Sequence, residues 1–206
     1  MVFLVESENG VQCHLEDDVH LNEEVTIRDA RPVDAFKIHQ VMISAFEPLT
    51  SRGYSPIAVR SAIAKPWQIR KRILSGLTVL VAEDGPDIIG TITGIKGRQT
   101  MEAVSFAVQP EYQNRGIGGE LLTALEHLAI DDGCNKIYAL TAWSMIEAAR
   151  LYHHLGYVQE GYLRSHYYGE DLIVFSKYFS QEDDAKWNLS NPKYEVIQYS
   201  WPYWLF

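Results

Sequence analysis

Cysteine is nearly missing. Only two of the 206 residues are cysteines, Cys13 and Cys134, and they show neither metal-ligand spacing nor a disulfide pattern. That excludes a fold stapled by disulfides and points to free thiols in a reducing cytoplasm. Positive charge is also scarce: 18 Lys and Arg against 27 Asp and Glu leave a net charge of -9. Nonspecific nucleic-acid binding needs the opposite sign, so no nucleic-acid partner is expected. No apolar run approaches the roughly 18 residues of a membrane-spanning helix. The opening MVFLVESENG has a short apolar run without a basic segment before it, so neither a signal peptide nor a membrane partner is expected. The seven histidines form no H-E-x-x-H or similar pattern, and no metal is expected. Internal repeats and low-complexity tracts are absent as well.

What is present is the balance of an ordered globular protein, with 47% hydrophobic and 22% charged residues. Residues 1–23 are mixed and acidic and read as an N-terminal extension. VTIRDA (25–30) reads as a strand, and FKIHQVMISAF (36–46) as a helix ended by Pro48 and Gly53. Residues 57–74 read as two short helices broken at Lys65-Pro66. TVLVAED (78–84) and DIIGTITGIK (87–96) read as a hairpin across Gly85-Pro86, and MEAVSFAVQP (101–110) as a third strand. A helix over 117–130, a strand over 136–143 and a helix over 146–155 follow. Two strands, 157–167 and 171–179, meet at Tyr168-Gly169-Glu170.

This order predicts an α/β domain over 24–180 whose mostly antiparallel meander switches to a strand–helix–strand crossover in the middle. The tail, 181–206, ends in Tyr194, Tyr199, Trp201, Tyr203, Trp204 and Phe206. Such a segment is expected to pack on its own domain or to complete a homodimer.

The stretch VQPEYQNRGIGGELL (108–122) puts three glycines where a helix begins, although glycine is the poorest helix former after proline. Two readings stay open. The chain turns sharply there for packing, or a phosphate approaches first-turn amides that have no partners within the helix. The spacing Gln113-x-x-Gly116-x-Gly118 lacks the Gly-Lys-Ser/Thr of a P-loop, and it is not a three-glycine dinucleotide fingerprint.

Val108-x-Pro110-x-Tyr112-Gln113-x-Arg115-Gly116-Ile117-Gly118-Gly119-x-Leu121-Leu122 closely resembles the acetyl-CoA signature of the GNAT family, the GCN5-related N-acetyltransferases. Ala148-Ala149-Arg150-Leu151-Tyr152-His153-His154-Leu155-Gly156-Tyr157 resembles that family's A-x-x-L-Y-x-x-L-G-F segment, about 30 residues on. The resemblance covers about residues 25–180. It implies a GNAT-like mixed, mostly antiparallel central sheet with splayed middle strands, flanked by helices. It also implies acetyl-CoA as the donor and no metal.

By the same resemblance, Gln113, Asn114, Arg115, Gly116, Ile117, Gly118 and Gly119 would hold the coenzyme A pyrophosphate. Backbone of Phe106, Ala107 and Val108 would pair with the pantetheine arm, and the Val108 amide would polarise the thioester carbonyl. Tyr152 would protonate the departing thiolate, and Glu102 stands where some protein-acetylating members carry a base. The alternatives are a core aromatic for Tyr152 and a solvated strand-end residue for Glu102. Glu170 and Asp171 are further base candidates that read equally as turn residues. Met145 stands where the family often carries a coenzyme-contacting Asn, so that contact must be lost or replaced.

Arg164-Ser165-His166-Tyr167-Tyr168-Gly169 resembles the tyrosine hairpin of members that acetylate protein N-termini. Tyr167 and Tyr168 would then bind an acceptor peptide; the alternative is a β-turn with cross-strand aromatics. The leading expectation is therefore an acetyltransferase acting on a peptide N-terminus or lysine. A small-molecule amine acetyltransferase, for example one acting on polyamines, and a non-catalytic acyl-CoA-binding domain are the competing functions.

Overall fold

Along residues 25–179, the part of the chain described by a computed structural model, the elements follow the apolar periodicity closely. The N-terminal extension, Cys13, and the aromatic tail with its expected docking or dimer interface lie outside these residues. The order is β1 (Thr26–Asp29), α1 (Ala35–Phe46), α2 (Pro56–Ala62), α3 (Pro66–Leu74), β2 (Thr78–Asp84), β3 (Asp87–Lys96) and β4 (Thr100–Val108). It continues with α4 (Ile117–Asp131), β5 (Lys136–Ala142), α5 (Ile146–His154), β6 (Val158–Tyr167) and β7 (Glu170–Tyr178). Pro48 does not stop α1 outright. The chain tightens into a 3-10 turn over Glu47–Arg52 and ends at Gly53, whose φ of 93° a side chain would resist.

The seven strands form one sheet in the order β1-β2-β3-β4-β5-β7-β6. Neighbours are antiparallel except β4 and β5, which α4 joins as a parallel pair. Helices cover the sheet in two layers. On one face Leu80, Ala82, Met101, Ala103, Ile137 and Phe175 pack with Leu121, Leu122 and Leu125 of α4 and Tyr152 of α5. On the other, Val79, Val81, Ile88 and Ala107 pack with Ile38, Val41 and Met42 of α1 and Ile69 of α3. The alternation along β2, odd residues to α1 and even ones to α4, is the two-residue period of a strand buried on both faces.

β4 breaks that period. Met101 and Ala103 face α4, whereas Ala107, four residues further and of the same parity, faces α1. The exchange occurs at a bulge. Thr93 pairs with Val104 and Thr91 with Ala107, and Ser105 takes φ 52°. A bulge bends its strand, and here it bends β4 away from β5. The two are paired only where Thr100–Ala103 meet Lys136–Ala139. Beyond that point β4 runs to Val108 and β5 to Ala142 without pairing, which leaves a wedge open at their C-terminal ends.

A wedge between two strands and its chemistry

One side of the wedge is built mostly from backbone. Gln109 donates its amide to Ile89 O of β3 at 2.9 Å. Successive amides of a strand alternate in direction, so the Val108 amide points the other way, into the wedge. The Val108 carbonyl accepts a 2.9 Å bond from Gln113 Nε2, which draws the following loop back over the strand end. In that loop Asn114 and Gly116 adopt φ values of 60° and 89°. Left-handed residues interleaved in this way turn successive amides toward one side, as in an anion-binding nest. The first turn of α4 adds amides with no partner inside the helix, together with the positive end of its dipole.

The three glycines of this loop serve three different ends. Gly116 supplies the left-handed turn. At Gly118 an added Cβ would stand 3.3 Å from Cζ of Phe106 and 3.4 Å from Cδ2 of Leu151, so its bareness lets α4 close on β4 and α5. At Gly119 an added Cβ would meet nothing within 4 Å, because the residue opens on a groove of about 630 Å³. Gly116, Glu120, Thr123 and His127 of α4 and His154 of α5 also line that groove. The packing reading thus holds at Gly118, while Gly119 leaves the backbone open to the groove. The guanidinium of Arg115 lies over the Tyr112 ring at 5.1 Å. Met145 precedes α5, where its sulfur receives the Thr141 hydroxyl at 3.7 Å.

On the α4 face of the sheet, Tyr152 is 4% exposed. Its ring stacks on Phe175 at 5.1 Å and leans on Tyr157 at 5.3 Å. Burial alone pushes its phenol well above the usual value, so it stays a proton donor throughout the neutral range. Of the adjacent histidines, His153 sets its ring edge-on to Phe175 at 5.2 Å while remaining exposed, and His154 faces the groove.

Glu102 lies on the opposite face, since its neighbours Met101 and Ala103 both point toward α4. It occupies the paired, closed end of the wedge, between Ile95 and Tyr138. The Tyr138 hydroxyl donates to Glu102 Oε2 at 3.2 Å. Burial, and then the Glu102 charge, push the Tyr138 phenol up. On the same face Arg72 of α3 donates to the Ser105 hydroxyl at the bulge, at 2.9 Å.

The far wall is the β6–β7 hairpin. Tyr167 and Tyr168 meet edge to face at 4.9 Å, with Tyr168 58% exposed and Tyr167 half-buried. Asp171 accepts from the Tyr162 hydroxyl and from the Ser165 amide. Those two bonds hold its carboxyl below the usual range. Glu170 accepts from the Ser55 amide at 2.9 Å, which ties the hairpin to the start of α2. Arg52 reaches Glu147 of α5 at 2.7 Å. Glu170 and Asp171 are therefore engaged in shaping the hairpin and its neighbour, as their turn reading expects.

Sequence reasoning did not find Tyr138, Arg72, Ser105, Ser55 or Arg52. Each meets its partner only through the fold. The one local signal was the alternation that sets Lys136 and Tyr138 on one face of β5. Among the described residues no group of three His, Cys, Asp or Glu side chains could hold a metal, and no helix is long and apolar enough to cross a membrane.

A family model described as acetyltransferase (GNAT) family matches residues 43–157, more than half of the chain. Solved structures share the fold at low identity. The PaiA N-acetyltransferase of Thermoplasma acidophilum, in complex with coenzyme A, is 18% identical with a TM-score of 0.64, covering 76% of this chain and 99% of that one. Ard1 of Thermoplasma volcanium is 18% identical with a TM-score of 0.61, over 76% and 99%. The ribosomal-protein-S18-alanine N-acetyltransferase of Escherichia coli is 17% identical with a TM-score of 0.58, over 76% and 95%. With the splayed strands, the amide-rich loop before α4 and the family match over both motifs, the chain belongs to the GNAT family and is an acetyl-CoA-dependent N-acetyltransferase.

Proposed function

We propose that the chain acetylates the free amine of a peptide or protein, an N-terminus or a lysine, within the cytoplasm. The observation that carries the acceptor reading is the hairpin that presents Tyr167 and Tyr168 beside the wedge and is tied to α2 through Glu170. Two aromatic rings with polar ends suit an extended chain, whose backbone can bond the hydroxyls while its first side chain packs on the rings. Similarity to Ard1 and to the S18-alanine enzyme, a protein acetyltransferase by its name, supports the same reading.

In this reading the amides of residues 114–119 hold the donor pyrophosphate, and β4 backbone from Phe106 to Val108 pairs with the pantetheine arm. The loop suits that group: left-handed residues at Asn114 and Gly116 can turn amides to one side, and Gly119 opens on the groove without a Cβ in the way. The Val108 amide is placed to stabilise negative charge growing on the acyl oxygen. Tyr152 gives its proton to the departing thiolate from the α4 face. Glu102 draws the ammonium proton from the acceptor on the other face, with Tyr138 fixing its carboxylate. Acid and base on opposite faces suit a reaction in which donor and acceptor enter from opposite sides.

The Glu102 carboxylate at the closed end of the wedge, held by a hydroxyl rather than by a cation, also suits a small cationic amine as acceptor. The two acceptor readings separate on one assay. Thiol release from acetyl-CoA is followed with free N-terminal peptides, with Nα-blocked lysine peptides and with spermidine. A peptide is expected to raise the rate most. A preference for spermidine would replace the peptide reading, and donor binding with no responsive acceptor would replace catalysis with binding alone. Tyr152→Phe is expected to lower kcat by about 100-fold with little change in acetyl-CoA affinity; unchanged turnover would remove the acid from Tyr152.

A further inference from the structure

Two buried polar atoms among the described residues have no hydrogen bond, Oε1 of Glu126 and the hydroxyl of Tyr157. Such atoms are rare in native proteins, and each costs free energy unless something uses it. Here one is an acceptor and the other a donor, and they are neighbours. After burial, the Glu126 carboxylate is the next cause that pushes the Tyr157 phenol upward. The two stand side by side without meeting hydrogen-bond geometry, and a small side-chain rotation would join them. The other oxygen of Glu126 is fixed by Lys177 of β7 at 2.6 Å, and the Lys177 ammonium also lies 5.8 Å from the centroid of the Tyr157 ring.

This polar chain ends against the acid. Tyr157 donates its amide to the Tyr152 carbonyl at 2.9 Å and leans its ring on the Tyr152 ring at 5.3 Å. Phe175 closes the opposite contact at 5.1 Å. A phenylalanine at position 157 would fill the same space without placing a hydroxyl in the core. Once bonded to Glu126, the hydroxyl would anchor the far end of a ring that is otherwise held by packing. Glu126 lies on α4, the helix whose first turn carries the glycine loop. The chain therefore runs from the donor-binding helix, through one carboxylate and one phenol, to the side chain that must meet the thiolate.

We infer that Tyr157, anchored by Glu126 and Lys177, is a positioning residue that sets the Tyr152 ring for proton transfer to the thiolate. The inference rests on the assignment of Tyr152 as the acid. It is tested by a double-mutant cycle on the full chain, using as acceptor the free N-terminal peptide or spermidine, whichever responds in the acceptor assay. Tyr157→Phe is expected to lower kcat about five- to tenfold, with the KM for acetyl-CoA moving less than about twofold and the melting temperature nearly unchanged. In a Tyr152→Phe background the same substitution is expected to lower kcat no further. Glu126→Gln, whose amide oxygen can still accept a hydrogen bond from the phenol, is expected to retain most of the kcat that Glu126→Leu loses.

Equal losses from Tyr157→Phe in both backgrounds would overturn the inference, because the hydroxyl would then act without Tyr152. So would a kcat unmoved by Tyr157→Phe. A large Tyr152→Phe loss beside an inert Tyr157→Phe removes this inference alone. A Tyr152→Phe variant of full activity removes the acid assignment and this inference with it.

Discussion

The side of the wedge proposed to hold the donor and the side proposed to hold the acceptor are made of different material. The donor side is backbone: the Val108 amide, a left-handed loop through Asn114 and Gly116, and the first turn of α4. It is contiguous in the chain, and its rigidity comes from a helix whose Leu121, Leu122 and Leu125 are fully buried. The acceptor side is assembled from side chains of distant segments: Arg72, Glu102, Tyr138, Glu170 and the tyrosines of the hairpin. A coenzyme that never changes can be held by peptide groups that every sequence possesses. An acceptor that differs between family members must be chosen by side chains, so that wall can vary while the other stays as it is.

The sharpest way to test this division is at Glu102. Glu102→Gln is expected to lower kcat by about 100-fold while leaving the KM for acetyl-CoA unchanged, measured by initial rates with each substrate varied in turn. Full turnover would show that the base lies elsewhere. Gly116→Val attacks the other side. A β-branched residue at φ 89° costs about 1–2 kcal/mol, read as a lower urea midpoint. The distorted amides are expected to raise the acetyl-CoA KM about tenfold without altering the order of preference among acceptors. A changed acceptor order would mean that the two sides are not separable.

A smaller effect is expected at the strap between hairpin and α2. Glu170→Ala removes the acceptor of the Ser55 amide, a loss on the order of 1 kcal/mol, and should raise the acceptor KM severalfold while sparing the donor KM. An equal rise in both would show that the strap supports the fold rather than one wall.

The smallest kinetic effect is expected outside the wedge. Arg28 of β1 bonds Glu83 at 2.8 Å and Asp34 at 2.8 Å, clamping the sheet edge to the start of α1. Burial alone would raise the Asp34 carboxyl, but bonds from Arg28 and the Arg31 amide outweigh it and hold it below its usual value. Arg28 likewise lowers Glu83. Carboxylates depressed in this way add stability above their unfolded value of about 4 and lose it as pH falls through the lower folded value. The stability gap between wild type and Arg28→Ala should therefore be full at neutral pH and narrow below about pH 4, by urea titration at each pH. Both KM values should stay level at neutral pH.

The legible parts share a property: their determinants are close together in sequence. Strands β2 and β3 have the bounds expected from TVLVAED and DIIGTITGIK, because alternating apolar residues and a two-residue turn specify a hairpin locally. The glycine loop is legible for the same reason. The insertion of β7 between β5 and β6 was not legible, since any of the late strands could have met β5 by pattern alone. Neither was the bulge at Ser105, where a serine in an unremarkable strand takes a left-handed conformation. Glu102 and Tyr152 both stood out in the sequence as candidates, yet nothing in it told that they occupy opposite faces, because each face is set by packing against helices distant in the chain.

Sequence by itself determined the order of elements, the family and the donor, for those depend on periodicity and on two short motifs. Only the tertiary structure decided why each glycine is needed. Gly116 answers to a dihedral angle, Gly118 to the ring of Phe106, and Gly119 to an open groove. It alone also joined Tyr138 to Glu102 and Ser55 to Glu170, and set Tyr157 beside Glu126. The physical reason is range. Dihedral preference and hydrophobic period act over a few residues, whereas a site made of side chains exists only once loops of tens of residues have closed.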